Sequence, residues 1–200
     1  MSVDAEKLKI FNAALRQAQA TRMARIDETS ESAEACFDLY GNMYNHLLME
    51  FEWQWAMVRV ALTKDGSDPI GDTWDFRYGL PANFFRFHSI DTEGVNEYVI
   101  EAGYLLCNEG SGITVIYIAS DTALTNTSIV FKRLLEKRMA AALASDLSKD
   151  RTLARHLLGA SMSLEQMAYR ECTDWVKEEA PLSLRAPQYK TGRLPSYGRT

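Results

Sequence analysis

Cysteine, histidine and proline are all scarce in this chain, at three, three and five residues of 200. Cys36, Cys107 and Cys172 form no CxxC pair, which excludes a disulfide framework and predicts reduced, buried thiols. His46, His88 and His156 stand singly with no HExxH pair, so no zinc site is expected. No apolar run nears the ~20 residues needed to cross a bilayer. The opening MSVDAEKLKIFNAALRQ mixes acids, bases and amides where a signal peptide has an apolar core. A soluble protein made in a cytoplasm is the expectation. There is no GxxxxGK[ST] and no GxGxxG after a strand, and so no phosphate or dinucleotide cradle. GASMS at 159–163 lacks the second glycine of a nucleophile elbow and falls within a helical pattern. Lys190-Thr191-Gly192 matches one β-lactamase box, but no SxxK accompanies it. No catalytic, cofactor-binding or metal-binding residue is therefore named, and the chain is not expected to be an enzyme.

An excess of positive charge is missing too. The net charge is −5. The last twenty residues hold four cations (Arg185, Lys190, Arg193 and Arg199) and no acid, which leaves −9 on residues 1–180. An acidic body repels DNA, whose binding rests on basic surface that releases counterions. Only the tail offers such a surface, with Tyr189 and Tyr197 interleaved as stacking groups. The alternative for that tail is an arm that docks on an acidic protein surface.

What the chain does have is periodicity. Leu8, Phe11, Leu15 and Ala18 give one apolar stripe and a first helix over 2–22. RIDETSES breaks it and supplies the N-cap candidates Thr29 and Ser30. A second helix is predicted over 31–62, with Phe37, Tyr40, Tyr44, Leu47/Leu48, Phe51, Trp55, Val58 and Leu62 in phase. Trp53 lies two residues from Trp55 and so points the other way. Either this helix is buried on two sides or Trp53 meets a neighbouring subunit. TKDGSDPIGD is a loop. Trp74, Phe76 and Tyr78 then alternate as a strand, broken by Leu80-Pro81. Phe85 and Phe87 continue in a strand, YVIE and YLLC flank an Ala102-Gly103 hairpin turn, and GITVIY ends a sheet of four or five strands. Helix returns near Ser128 and runs to Leu147, and a fourth helix spans 151–178 until Pro181. The fold expected is α+β. A four-helix bundle (1–62 and 125–180) carries a small, mainly antiparallel sheet (70–120) between its second and third helices, and an extended basic arm follows (181–200).

Two carboxylates are all a glycosidase needs, and they leave almost no trace in sequence. Glu50 and Glu52 flank the tryptophans, while Asp91, Glu93 and Glu97 cluster in a loop. A peptidoglycan glycoside hydrolase is thus the alternative, against solvated surface acids.

Taken in order, five segments carry a resemblance: FEWQWAMVRVAL, YGLPANFFRF, YVIEAGYLLC, ITVIYIA and the helix FKRLLEKRMAAALASDLS. Over roughly residues 35–180 the chain resembles the tail tubular protein A family, the head-to-tail adaptors of short-tailed bacteriophages and related prophages. It departs where family members often hold a proline beside the helix-end tryptophan; Glu52 and Gln54 stand there, and the basic arm has no matched counterpart. The resemblance implies a structural virion protein of the tail or neck, assembled in the host cytoplasm. It implies a ring, commonly dodecameric, that binds the portal protein and receives the next tail (nozzle) protein, with viral DNA passing through the lumen. On that reading Trp53 is an interface candidate, together with Arg185, Tyr189, Lys190, Arg193, Tyr197 and Arg199 of the arm.

Overall fold

The structure, a computed structural model, describes residues 3–66, 73–92, 94–95 and 97–179. The expectations placed on Arg185, Tyr189, Lys190, Arg193, Tyr197 and Arg199 lie outside the described residues, as does Glu93.

The described residues form a mixed α/β fold with four helices and two small three-stranded antiparallel sheets. Helix α1 is Val3–Gln17 and α2 is Glu31–Glu50. Six strands follow: β1 (Met57–Ala61), β2 (Phe76–Gly79), β3 (Phe84–Ile90), β4 (Tyr98–Glu101), β5 (Tyr104–Cys107) and β6 (Thr114–Ala119). Then come α3 (Ile129–Asp146) and α4 (Arg151–Glu179). Ser30 caps α2 by accepting from Ala33 N, and Ser128 caps α3 by accepting from Phe131 N; each satisfies an amide that the helix itself leaves free.

The second helix is shorter than its apolar phase predicted. Phe51 is already extended, at φ −123° and ψ 153°, and a single 3-10 turn at Gln54–Ala56 leads directly into β1. Val58 and Val60 alternate with Arg59 and Ala61, a two-residue period that happens to overlap the helical one, and their β-branched side chains favour the pleated surface. The predicted sheet of four or five strands is correspondingly six strands in two sheets, ordered β1-β6-β3 and β2-β5-β4. The Ala102-Gly103 turn forms as expected, both residues at positive φ (49° and 82°), which is the geometry of a two-residue hairpin.

Helix α3 packs against α1, α2 and α4. The first sheet lies between two cores. Ile118 of β6, Met57 of β1 and Phe85 of β3 join the helical core. Their neighbours of opposite parity, Val115, Tyr117, Val58 and Phe84, face a second core with Tyr78, Leu105 and Cys107 of the other sheet. Arg86 of β3 reaches across to α2 and donates to Met49 O at 2.6 Å. That helix has no basic residue in its last turn, so the strand supplies the cation its C-terminal carbonyls attract. No helix among the described residues is long and apolar enough to cross a membrane.

Candidate functional site

Helical phase stops at Glu50, so the alternation that placed Trp55 inward and Trp53 outward does not apply. Trp53 is 0% exposed. Its indole N–H donates to Leu47 O at 2.8 Å, and its ring meets Phe51, Trp55 and the edge of Phe131 at centroid distances of 5.3, 5.8 and 5.2 Å. The proposed contact between Trp53 and a neighbouring subunit is therefore corrected: its surface is spent inside its own chain. Trp55 is the half-buried member, and its buried Nε1 has no hydrogen-bond partner.

The densest polar constellation is one that sequence reading missed. Arg138 of α3 forks onto Glu50 of α2, with Nη1 to Oε2 at 2.6 Å and Nη2 to Oε1 at 3.1 Å. The same Nη2 reaches Glu165 Oε1 of α4 at 2.9 Å, and Ser161 donates to that oxygen at 3.1 Å. His46 Nδ1 lies 3.2 Å from Arg138 Nη1. Burial opposes the charge on Arg138, but the hydrogen bonds and charges of the two carboxylates outweigh it and raise its pKa further. The cation is matched, so the cluster is a staple for three helices. A signal for it existed. Arg138 falls four residues after Leu134 and four before Ala142, on α3's apolar stripe, where an arginine needs acid partners. Above the staple an open groove of about 550 Å³ runs between the helices, floored by Met43, Ala141, Ala142, Ala154 and Leu158.

The carboxylates of the hydrolase alternative are held separately. Glu50 belongs to the staple, Glu52 lies 3.5 Å from Arg86, and Asp91 lies 3.3 Å from Arg59. Ser161 of GASMS is buried in α4 and donates to Leu158 O at 2.7 Å, as a helical serine does and an activated nucleophile does not. The three thiols are free and buried as expected. Burial pushes Cys36 and Cys172 up to about 12, which keeps them protonated and unreactive at neutral pH. Among the described residues, no three His, Cys, Asp or Glu side chains are grouped to hold a metal ion.

The remaining candidate surface is apolar and charged. Four of the nine exposed large apolar side chains among the described residues lie on α4: Leu158, Met162, Met167 and Tyr169. Two more, Phe37 and Met49, lie on α2. Of these, Leu158, Met162 and Tyr169 share one side of α4 by helical spacing, and exposed apolar clusters mark contact surfaces more often than isolated residues do. No protein-family model matches this sequence, and a search of curated proteins returns no match.

Proposed function

We propose that this chain is a head-to-tail adaptor of a short-tailed bacteriophage, a structural virion protein without catalytic activity. Copies form a ring between the portal protein and the next tail protein, and viral DNA passes through the lumen. The architecture behind this reading is a four-helix bundle with a β unit inserted between its second and third helices. The observation that carries it is the order and packing of the elements: three helices gather on α3, and all six strands fall between α2 and α3. The net charge of −5 per chain supports it as well. A ring of such subunits carries on the order of several tens of negative charges, so DNA slides through it.

Negative-stain images of the purified protein mixed with its portal, with light scattering alongside, test the reading. The expected result is a ring seated on the portal. A chain that forms no ring, either alone or on the portal, defeats it.

A further inference from the structure

Helix α4 has 29 residues against 18 for α3, its main partner. At 1.5 Å per residue these are about 44 and 27 Å long, so α4 is longer than the helix it packs on. Its buried stripe is Leu157, Ser161, Ala168 and Cys172. Beside that stripe, in helical register, run Leu158, Met162 and Tyr169, which are 55, 64 and 55% exposed. Along the outer edge of this ridge stand exposed Arg151, Arg155 and Arg170. Between Arg151 and Arg170 the helix carries one acid, Glu165, which Arg138 holds; the other four, Glu171, Asp174, Glu178 and Glu179, follow toward its C-terminal end.

Helix α2 carries the opposite pattern. It contains no lysine or arginine. Glu31, Glu34 and Asp38 are exposed along its outer face, with Asn42, Asn45 and Met49 continuing the same line. Met49 is 62% exposed, and Phe37, on the flank, is 46% exposed. This face is turned away from the α4 side of the helix, which carries Met43 and the staple residues His46 and Glu50. From Glu34 to Met49 the line is about 22 Å long, and from Arg151 to Arg170 about 28 Å, by the same rise per residue.

We infer that the apolar, arginine-edged face of α4 docks on the acidic outer face of α2 in a second copy of this chain. The two faces are different patches, so a contact between them is heterologous rather than self-complementary. Such a contact propagates from copy to copy and generates a ring if its rotation closes, where a self-complementary patch would stop at a dimer. Apolar side chains meet at the centre of the contact, and opposite charges at its edge set register and exclude the like-charged pairings α2–α2 and α4–α4. This deepens the adaptor reading, on which it rests for its setting, by naming the subunit contact.

The test is charge reversal on each face of the full-length chain. Glu34→Lys with Asp38→Lys alters α2, Arg155→Glu with Arg170→Glu alters α4, and a third variant carries all four changes. Association is read by sedimentation velocity, or by ring formation on the portal if the native chain assembles only there. All four side chains are exposed, so unchanged melting curves establish that each variant is folded. Either pair alone is expected to weaken association at least about tenfold, and the fourfold variant to recover most of that loss, because only the signs have been exchanged. Raising salt weakens the native association. If the native chain assembles and the α4 pair changes nothing, the contact is wrong while the ring reading stands; loss from the α2 pair alone then means that another cationic segment, such as the basic arm, occupies that face. Failure of the fourfold variant to recover while both pairs disrupt also overturns the face-to-face pairing. A native chain that assembles neither alone nor on the portal removes both readings together.

Discussion

The helical layer and the strand unit use the same residue types in different ways. In the helical layer aromatics pack on one another: Phe131 meets Tyr44, Trp53 and Trp55 in T-shaped contacts, with centroids 5.2, 5.2 and 4.8 Å away. In the strand unit the buried tyrosines serve as posts. Tyr78 donates its hydroxyl to Glu109 O and Tyr117 donates to Asn83 Oδ1, both at 2.8 Å, which ties loops to the sheets. The difference follows from shape. Packed helices leave broad gaps that large rings fill, whereas short antiparallel strands leave loop carbonyls at their ends that need donors. The contrast is one of degree, because Tyr44 of the helical layer also donates to Thr122 O and Phe84 stacks on Tyr117 in the strand unit.

Trp53→Ala tests this hardest. It removes the largest fully buried side chain of the helical core. A loss of about 3–5 kcal/mol is expected by denaturant titration. Trp55→Ala should cost clearly less, because Trp55 is only half-buried. The reverse order would mean that the aromatic cluster is centred on the other ring.

Next comes Arg138→Ala, expected to cost about 2–3 kcal/mol, since it leaves Glu50 and Glu165 facing each other without their shared cation. Adding Glu165→Gln should recover part of that loss. A double variant no better than the single one would show that the staple acts through packing alone. In the strand unit, Tyr78→Phe keeps the volume and deletes one hydrogen bond, at about 1 kcal/mol. A cost near that of Trp53→Ala would erase the contrast between the regions.

How much of this was legible in the sequence depends on which signal each element carries. The Ser128 cap emerges only in the structure, whereas the cap at Ser30, the Ala102-Gly103 turn and the existence of the four helices follow from local chemistry and are readable. Residues 51–62 are not, because Phe51, Trp55, Val58 and Leu62 satisfy a helical period while Val58 and Val60 satisfy a strand period. Only the extended Phe51 decides between the two. The Trp53 assignment failed with that boundary. The lack of lysine and arginine in α2 and the arginines at 151, 155 and 170 of α4 are visible in the sequence, but comparing body with tail hid them. Net charge sums over faces, and contacts form between faces.

The smallest expected effect separates paired from unpaired charge within the helical layer. Glu136, on α3 two residues before Arg138, is half-buried, and desolvation raises its pKa above the ordinary 4.5 despite Arg133, Arg16 and Lys137 nearby. An acid whose folded pKa is raised favours folding only when protonated. Below pH 4.5 both states are protonated and the burial has no cost; as pH rises through the folded pKa stability falls, and the loss is complete above it. Glu136→Gln, neutral throughout, should therefore melt at a higher temperature than the native chain at pH 7, with the gain shrinking toward zero as pH drops below 4.5. Melting curves of both proteins between pH 4 and 8 measure it. A gain that does not change with pH would assign the effect to packing, and a lower melting temperature at pH 7 would show that the three cations more than offset the burial of this carboxylate.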